Sequence, residues 1–312
     1  NKKITLDTGI NLPDEMILTD EFENFFNFME NTNLNMFITG KAGSGKSTLL
    51  EYFRQNTYKN YAILAPTGIA AIKARGQTIH AFFKFPPRVV QKSDIKIFRN
   101  QKLIKNLDTL LIDESSMIRA DILDGINLSL KKNRKNNKPF GGVQIILIGD
   151  LFQLPPVVSS DARDIMEQLY PDGPYFFNSK IFNEGSIKIY ELTKIFRQRE
   201  ENFINLLNKI RISKISQSDL DLINERVIDF ESDFPEGIII LSPKNIKVDQ
   251  INTDNLNKIK SNTFEYMAVI KGTFKDSIVD DHLKLKVGAQ IMLVKNDLNT
   301  PRRWVNGTLG II

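Results

Sequence analysis

Apolar positions recur along this chain with two different periods. From Leu18 to Met29, Phe22, Phe25, Phe26 and Met29 fall at i, i+3, i+4 and i+7 behind Thr19-Asp20, which predicts a capped helix buried on one face. The pattern then changes to short continuous runs: Asn35 to Thr39, Tyr61 to Ala65, Leu110 to Ile112 and Val143 to Ile148. Runs of this length, each leading into Gly, Pro or acidic residues, predict strands buried on both faces of a parallel sheet. Segments with helical spacing separate them, among them Leu49 to Phe53 and Ile69 to Ala71, so the alternation of strand and helix predicts an α/β fold. Beyond it, Asn202 to Ile210 reads as a helix, and Ile238 to Leu241 as a strand running into the polar turn Ser242-Pro243-Lys244-Asn245.

Three stretches lie outside this alternation. Residues 1–17 read as an N-terminal arm. Lys84 to Lys105 is basic, contains Phe85 and Phe98, and reads as a small inserted subdomain. Lys131 to Lys138 carries five basic residues in eight and reads as a solvated loop, with nucleic-acid contact as the alternative.

Composition narrows the class. A chain of 312 residues with 41% hydrophobic content can build two domains with true cores. The longest apolar run, Ile145 to Ile148 with Val143 before it, is far short of the ~20 residues that cross a bilayer, and no signal-peptide pattern opens the sequence. The absence of cysteine excludes disulfides and Cys-ligated metals and fits an intracellular location, while His80 and His282 are too few for a His-rich metal site. A net charge of +5 leans mildly towards a polyanionic partner.

The chemistry is concentrated where the strands end. Gly40 to Thr48 reads GKAGSGKST, a full phosphate-binding loop between a strand and a helix. Gly40, Gly43 and Gly45 allow the tight turn that lets the amides of Ala42, Ser44 and their neighbours through Thr48 face a polyphosphate; Lys46 would sit on the β- and γ-phosphates and the Ser47 hydroxyl on Mg²⁺. Leu110 to Glu114 is a buried strand ending in two acids, which puts Asp113 in reach of the Mg²⁺ shell and Glu114 in reach of an attacking water. Gln153, after the run that ends in Gly149-Asp150, offers a neutral hydrogen-bonding group to a γ-phosphate. Thr67, in a Pro-Thr-Gly turn after the second strand, is a weaker candidate; His80 reads equally as a core histidine or a phosphate donor.

GKAGSGKST, APTGIAA, QTIHAFF, LIDESSM, ILIGDLFQLPPV and LTKIFRQ, in this order, resemble the motifs of the superfamily 1B DNA helicases of the Pif/RecD branch, closest to the petite integration frequency helicases. The resemblance covers most of residues 18–310. It implies a P-loop NTPase with two RecA-like domains, ATP and Mg²⁺ between them, single-stranded DNA and tailed duplex DNA as partners, no membrane, and 5′-to-3′ translocation coupled to unwinding of duplex, with G-quadruplexes a candidate second substrate. On it, Thr67 and His80 fall where the family touches the DNA backbone, Lys244 and Asn245 in a second nucleic-acid contact, Gln153 at the γ-phosphate sensor, and Arg197 at the arginine the second domain directs to the γ-phosphate. It implies a first domain over 18–190, a second from 191 to 289, and the opening strands of a β-barrel insert in 290–312. The family has a glutamine near Phe22, in a base-reading helix; the aromatic here leaves adenine selectivity open. The family's later motifs do not occur before Ile312, so the expectation is that this is the N-terminal part of the functional unit and that, alone, it binds ATP without unwinding a 5′-tailed duplex. The rival readings are an ATP-regulated clamp on single strands and a phosphate-loop kinase. The location would be cytoplasmic in a bacterium, nuclear or mitochondrial in a eukaryote.

Overall fold

The computed structural model describes residues 20–41, 43–99, 101–193, 201–227, 237–270, 279–294 and 307–312, with 297, 299, 303 and 304. The expected arm, Ala42 and Arg197 lie outside these residues. Contacts divide the chain into two compact units, residues 1–225 and 226–312.

The first unit is built on six parallel strands: β1 (Asn35–Gly40), β2 (Tyr61–Ala65), β3 (Gln77–Thr78), β4 (Thr109–Ile112), β5 (Gln144–Ile148) and β6 (Ile187–Leu192). Their spatial order is β3-β2-β4-β5-β1-β6. The register sets Leu64 beside Ile112, Ile112 beside Leu147 and Leu147 beside Phe37, so β2, β4 and β5 end within one residue of one another, while β1 runs on to Gly40 beside Leu192 of β6. Two backbone bonds carry the edge one step further, from Asp113 N to Leu64 O (2.9 Å) and from Gly149 N to Ile38 O (3.2 Å).

The continuous apolar runs are explained by two cores that share each strand in alternation. Phe37, Leu110, Ile112, Ile145 and Leu147 face Ile122, Ile126 and Leu130 of helix α6 (Ala120–Arg134). Met36, Ile38, Leu111, Ile146 and Ile148 face the other way, onto Phe22, Phe25 and Met29 of α1 (Asp20–Asn31) and Leu49, Leu50 and Phe53 of α2 (Lys46–Asn56). The aromatic stripe of α1 is thus core, Phe22 included. Between these elements lie α3 (Gly68–Lys73), α4 (Ile79–Phe83) and α5 (Gln101–Lys105); α7 (Arg163–Leu169), α8 (Lys180–Asn183), α9 (Glu201–Arg211) and α10 (Gln217–Asn224) complete the unit.

Three stretches differ from their reading. Residues 84–105 send Phe85, Val90, Ile95 and Ile104 into the α6 core, and Arg134 ties the end of α5 down by donating to the carbonyls of Ile104, Lys105 and Leu107. Lys131, Lys132 and Arg134 are helical, because α6 continues to Arg134, where cations complement the helix C-terminus. In the second unit, α11 (Asn245–Lys258) precedes two antiparallel pairs, β7 (Thr263–Met267) with β8 (His282–Lys286), and β9 (Gln290–Met292) with β10 (Leu309–Ile311). Ile238 to Leu241, expected as a strand, forms no ladder among the described residues, and Ile238, Ile239 and Leu241 are exposed. Among the described residues no helix is long and apolar enough to cross a membrane.

At the opposite edge of the sheet from the strand ends, one lysine fastens α1. Lys59 Nζ donates to Met29 O (2.7 Å), Thr32 O (2.6 Å) and Gln144 Oε1 (2.8 Å), using all three protons of its ammonium. Helix α1 has no basic residue in its own last turn, so this distant cation caps its terminal carbonyls. Replacing Lys59 by Met is expected to cost on the order of 3 kcal/mol in urea denaturation, because charged hydrogen bonds to buried acceptors are lost; a loss under about 1 kcal/mol would show that the cap is dispensable.

Candidate active site at the carboxyl edge of the sheet

The phosphate loop is shaped by glycines with distinct tasks. Gly43 and Gly45 take left-handed φ values of 81° and 85°, Gly45 as the residue before α2, where a side chain would be strained. At Gly40 the limit is space: a β-carbon would lie 2.6 Å from Ser44 Oγ and 2.9 Å from Leu192 O. The loop therefore delivers the chain to α2 with that helix's first amides free of intrahelical partners, the arrangement that binds anions. Lys46 Nζ donates to Gly40 O (2.7 Å) and Lys41 O (3.0 Å), folding over the loop. Burial pushes the Lys46 pKa below its usual range; Asp150 opposes this, Arg211 adds to it, and Glu114 and Asp113 oppose it.

Asp113 follows β4 directly and is 8% exposed. Burial raises its pKa, while the Glu114 N–H donating to Asp113 Oδ1 (2.9 Å) acts the other way. Glu114 takes a left-handed conformation, φ 51° and ψ 42°, which is uncommon for a side chain of this kind. Its carboxylate lies 3.8 Å from Lys73 Nζ of α3. Gly149 closes over this turn, for a β-carbon there would come within 2.6 Å of Ser115 Oγ and 2.9 Å of Ser115 N. Among the described residues the hydroxyls of Ser44, Ser115 and Ser116 are buried without a hydrogen-bond partner.

Gln153 is exposed, in a turn fixed by its own N–H donating to Asp150 O (2.9 Å). Thr67 caps α3, its hydroxyl accepting from Ala70 N at 3.2 Å. His80 is half-buried on α4; burial and then Arg119 push its pKa down against Asp121, so the ring is neutral at pH 7. Because Ala65 pairs with Thr78, Thr67 and His80 each stand two residues beyond matched positions on neighbouring strands. Lys46, Asp113, Glu114, Gln153, Thr67 and His80 thus all follow strand ends at one edge. Ser47 and Thr48, in the first turn of α2, are exposed there as well. Lys244 and Asn245 belong to the second unit, exposed at the start of α11.

Sequence reading missed Arg211. Its guanidinium forms three bonds with the Asp150 carboxylate, at 2.8 to 3.0 Å, from 61 positions away. The one signal in the sequence was the acid itself, placed at the end of a fully buried strand.

Asp113 offers a direct test of the electrostatics. Its raised pKa means that the folded state holds the carboxyl proton more tightly than the unfolded chain, so ionisation subtracts stability as pH rises through the carboxylate range. Asp113→Asn keeps an acceptor for Glu114 N and removes that charge. Its melting temperature without nucleotide or divalent ion is expected to match the parent's near pH 3 and to exceed it at pH 7, whereas Asp113→Ala falls below the parent at both. An Asn variant less stable than the parent at pH 7 would contradict this account.

Comparison with known proteins supplies the family. The profile of the PIF1-like helicase family matches residues 17–221, and that of the DNA helicase Pif1 2B domain matches residues 275–312. The ATP-dependent DNA helicase PIF1 of Saccharomyces cerevisiae is 33% identical over 97% of this chain, which corresponds to 36% of the yeast protein. Human PIF1 is 31% identical over 89% of this chain and 43% of its own length. Among solved structures, Bacteroides Pif1 bound to ssDNA superimposes with a TM-score of 0.78 at 41% identity, over 95% of this chain and 69% of that one. A Bacteroides Pif1 complex with ADP-AlF4 gives the same TM-score and identity over 96% and 70%. The chain therefore spans well under half the length of these curated relatives. With its α/β fold, its parallel RecA-like sheet and its phosphate loop, the chain belongs to the PIF1-like helicase family.

Proposed function

We propose that this chain carries the motor of an ATP-dependent DNA helicase that moves 5′ to 3′ along single-stranded DNA and couples hydrolysis to opening of a tailed duplex. The observation that carries the reading is the meeting of the phosphate loop, Asp113-Glu114 and the Asp150 to Gln153 turn at the carboxyl ends of neighbouring parallel strands. The named activities of its relatives, and the ssDNA and ADP-AlF4 complexes of the Bacteroides protein, support it.

The roles follow from chemistry. Lys46 exchanges the carbonyls of Gly40 and Lys41 for phosphate oxygens, and the α2 amides take up the remaining negative charge. The donor set fits Mg²⁺: Asp113 spends one oxygen on Glu114 N, its other oxygen has no bond among the described residues, and Ser47 adds a second hard oxygen. Such an ion needs only one or two protein oxygens, with waters and substrate phosphates completing its shell. Mg²⁺ held by Ser47 and Asp113 would neutralise charge on the phosphates. Glu114 then orients and polarises water, Gln153 senses the γ-phosphate, and Arg197 supplies the guanidinium of the second RecA-like half. Thr67, His80, Lys244 and Asn245 grip the DNA backbone; a neutral His80 does so by hydrogen bonding rather than charge. The domain plan is a first RecA-like domain over 18–190, a second from 191, and a barrel insert from 290, with the 2B-domain match at the end of the chain in support.

Steady-state hydrolysis with and without single-stranded DNA is the primary test. DNA should accelerate turnover; a rate indifferent to DNA would favour a kinase, and DNA-dependent turnover with no strand separation from any 5′-tailed duplex, even by a chain extended through the family's later motifs, would favour a clamp. Lys46→Ala should abolish hydrolysis and weaken nucleotide binding, and retained turnover would sink the assignment. Glu114→Gln should still bind ATP while kcat falls by roughly 10²- to 10⁴-fold.

Affinity for single-stranded DNA should fall with salt, with a log–log slope of about −0.7 for each phosphate contacted. Base composition should matter little, since a translocating motor grips backbone rather than base edges. A salt-independent affinity would argue against backbone contacts.

A further inference from the structure

We propose that Arg211 is a positioning residue of this ATPase site, clasping the turn that carries Gln153 and transmitting its state to α9. The inference rests on the ATPase reading above and goes beyond it, because Arg211 lies in none of the motifs that carry the resemblance.

Asp150 is 1% exposed, which makes an uncompensated charge there costly. Its carboxylate accepts from Arg211 Nε at 2.8 and 3.0 Å and from Arg211 Nη2 at 2.8 Å, a fork that fixes direction as well as distance. The same carboxylate accepts from Phe152 N (3.1 Å), and Asp150 O accepts from Gln153 N (2.9 Å). One acid thus anchors both residues of the turn. The guanidinium also lies 4.4 Å over the Phe152 ring, so it grips the turn from a second side. Arg211 is the last residue of α9, a helix held in place by buried Leu206 and by Lys209 bonding Asp219 of α10. Gly149 N, just before Asp150, donates to Ile38 O (3.2 Å) two residues before Gly40, which places the clasp beside the phosphate loop. Any shift of the turn on phosphate binding must either move α9 or break the fork; a lysine in place of Arg211 could follow the turn without transmitting its direction.

The test separates positioning from simple support of the fold. Arg211→Gln leaves Asp150 buried and unpaired and is expected to melt early. The double variant Asp150→Asn with Arg211→Gln replaces the ion pair by a neutral one and should regain most of the melting temperature. If the fork only stabilises the fold, kcat returns with stability. If it positions the turn, kcat stays down by about 10²-fold, the scale of a small misplacement near reacting atoms, while affinity for a non-hydrolysable ATP analogue changes less than threefold. Arg211→Lys should show the same split of kcat from affinity. Hydrogen exchange gives a readout independent of turnover: the analogue should alter exchange in residues 201–211 of the parent and leave the double variant unaffected. Recovery of kcat with stability, or an identical exchange response in parent and double variant, overturns the proposal. Failure of the parent to bind the analogue sinks the ATPase reading and this inference together; binding without a response in α9 sinks the inference alone.

Discussion

Gly40 and Gly149 end neighbouring parallel strands, and at each a β-carbon would come within 2.6 Å of a serine hydroxyl. The rest of the candidate site depends on that closeness. At Gly40 it lets the loop turn back over its own strand and reach α2; at Gly149 it lets the turn of Asp113 to Ser116 pack under the end of β5. The groups so gathered are expensive to gather. An ammonium, two acids and a buried ion pair share one edge, and three hydroxyls there are buried without partners among the described residues. Such an edge is most comfortable with a polyanion and a cation in place, which would satisfy donors and charges at once. Under the proposed ATPase reading, occupancy and stability would therefore be linked at this site.

The parts of this arrangement that were legible in the sequence are those written in local pattern. The phosphate loop declares itself through eight consecutive positions with the right flanks, and β4 and β5 through runs that have no polar face because both faces are covered. The helical stripe of Phe22, Phe25 and Met29 was legible for the same reason, since a period near 3.6 has one interpretation on a helix of that length. What the pattern could not supply was partnership. Ile238 to Leu241 has the composition of a strand, but a strand exists only against a neighbour, and among the described residues it has no ladder. Lys131 to Arg134 looks like a solvated loop on charge alone, yet buried Asn133, which accepts from Phe98 N and donates to the carbonyls of Lys96 and Ser129, carries α6 through it.

Long-range polar contacts were the least legible. Lys59 and Arg211 are ordinary cations in the sequence, with acidic neighbours no more telling than elsewhere. Each proves to hold one edge of the first unit, Lys59 under the strand starts and Arg211 beside the strand ends. Neither signals itself, because the acceptors are two backbone carbonyls and the side chain of Gln144 in one case and a carboxylate 61 positions away in the other. An apolar periodicity reports which face is buried; it is silent on which charge accompanies it.

Glu114 shows what this edge exacts from the chain. Its left-handed backbone is a conformation that glycine or asparagine would adopt with less strain, by roughly 1 kcal/mol or more. A search among random variants for thermal resistance alone would thus be drawn to that position and, under the role proposed for Glu114, would return chains that are sturdier and inert. If turnover needs that carboxylate, as proposed, selection must hold it against this drift, and durability and chemistry then pull position 114 in opposite directions.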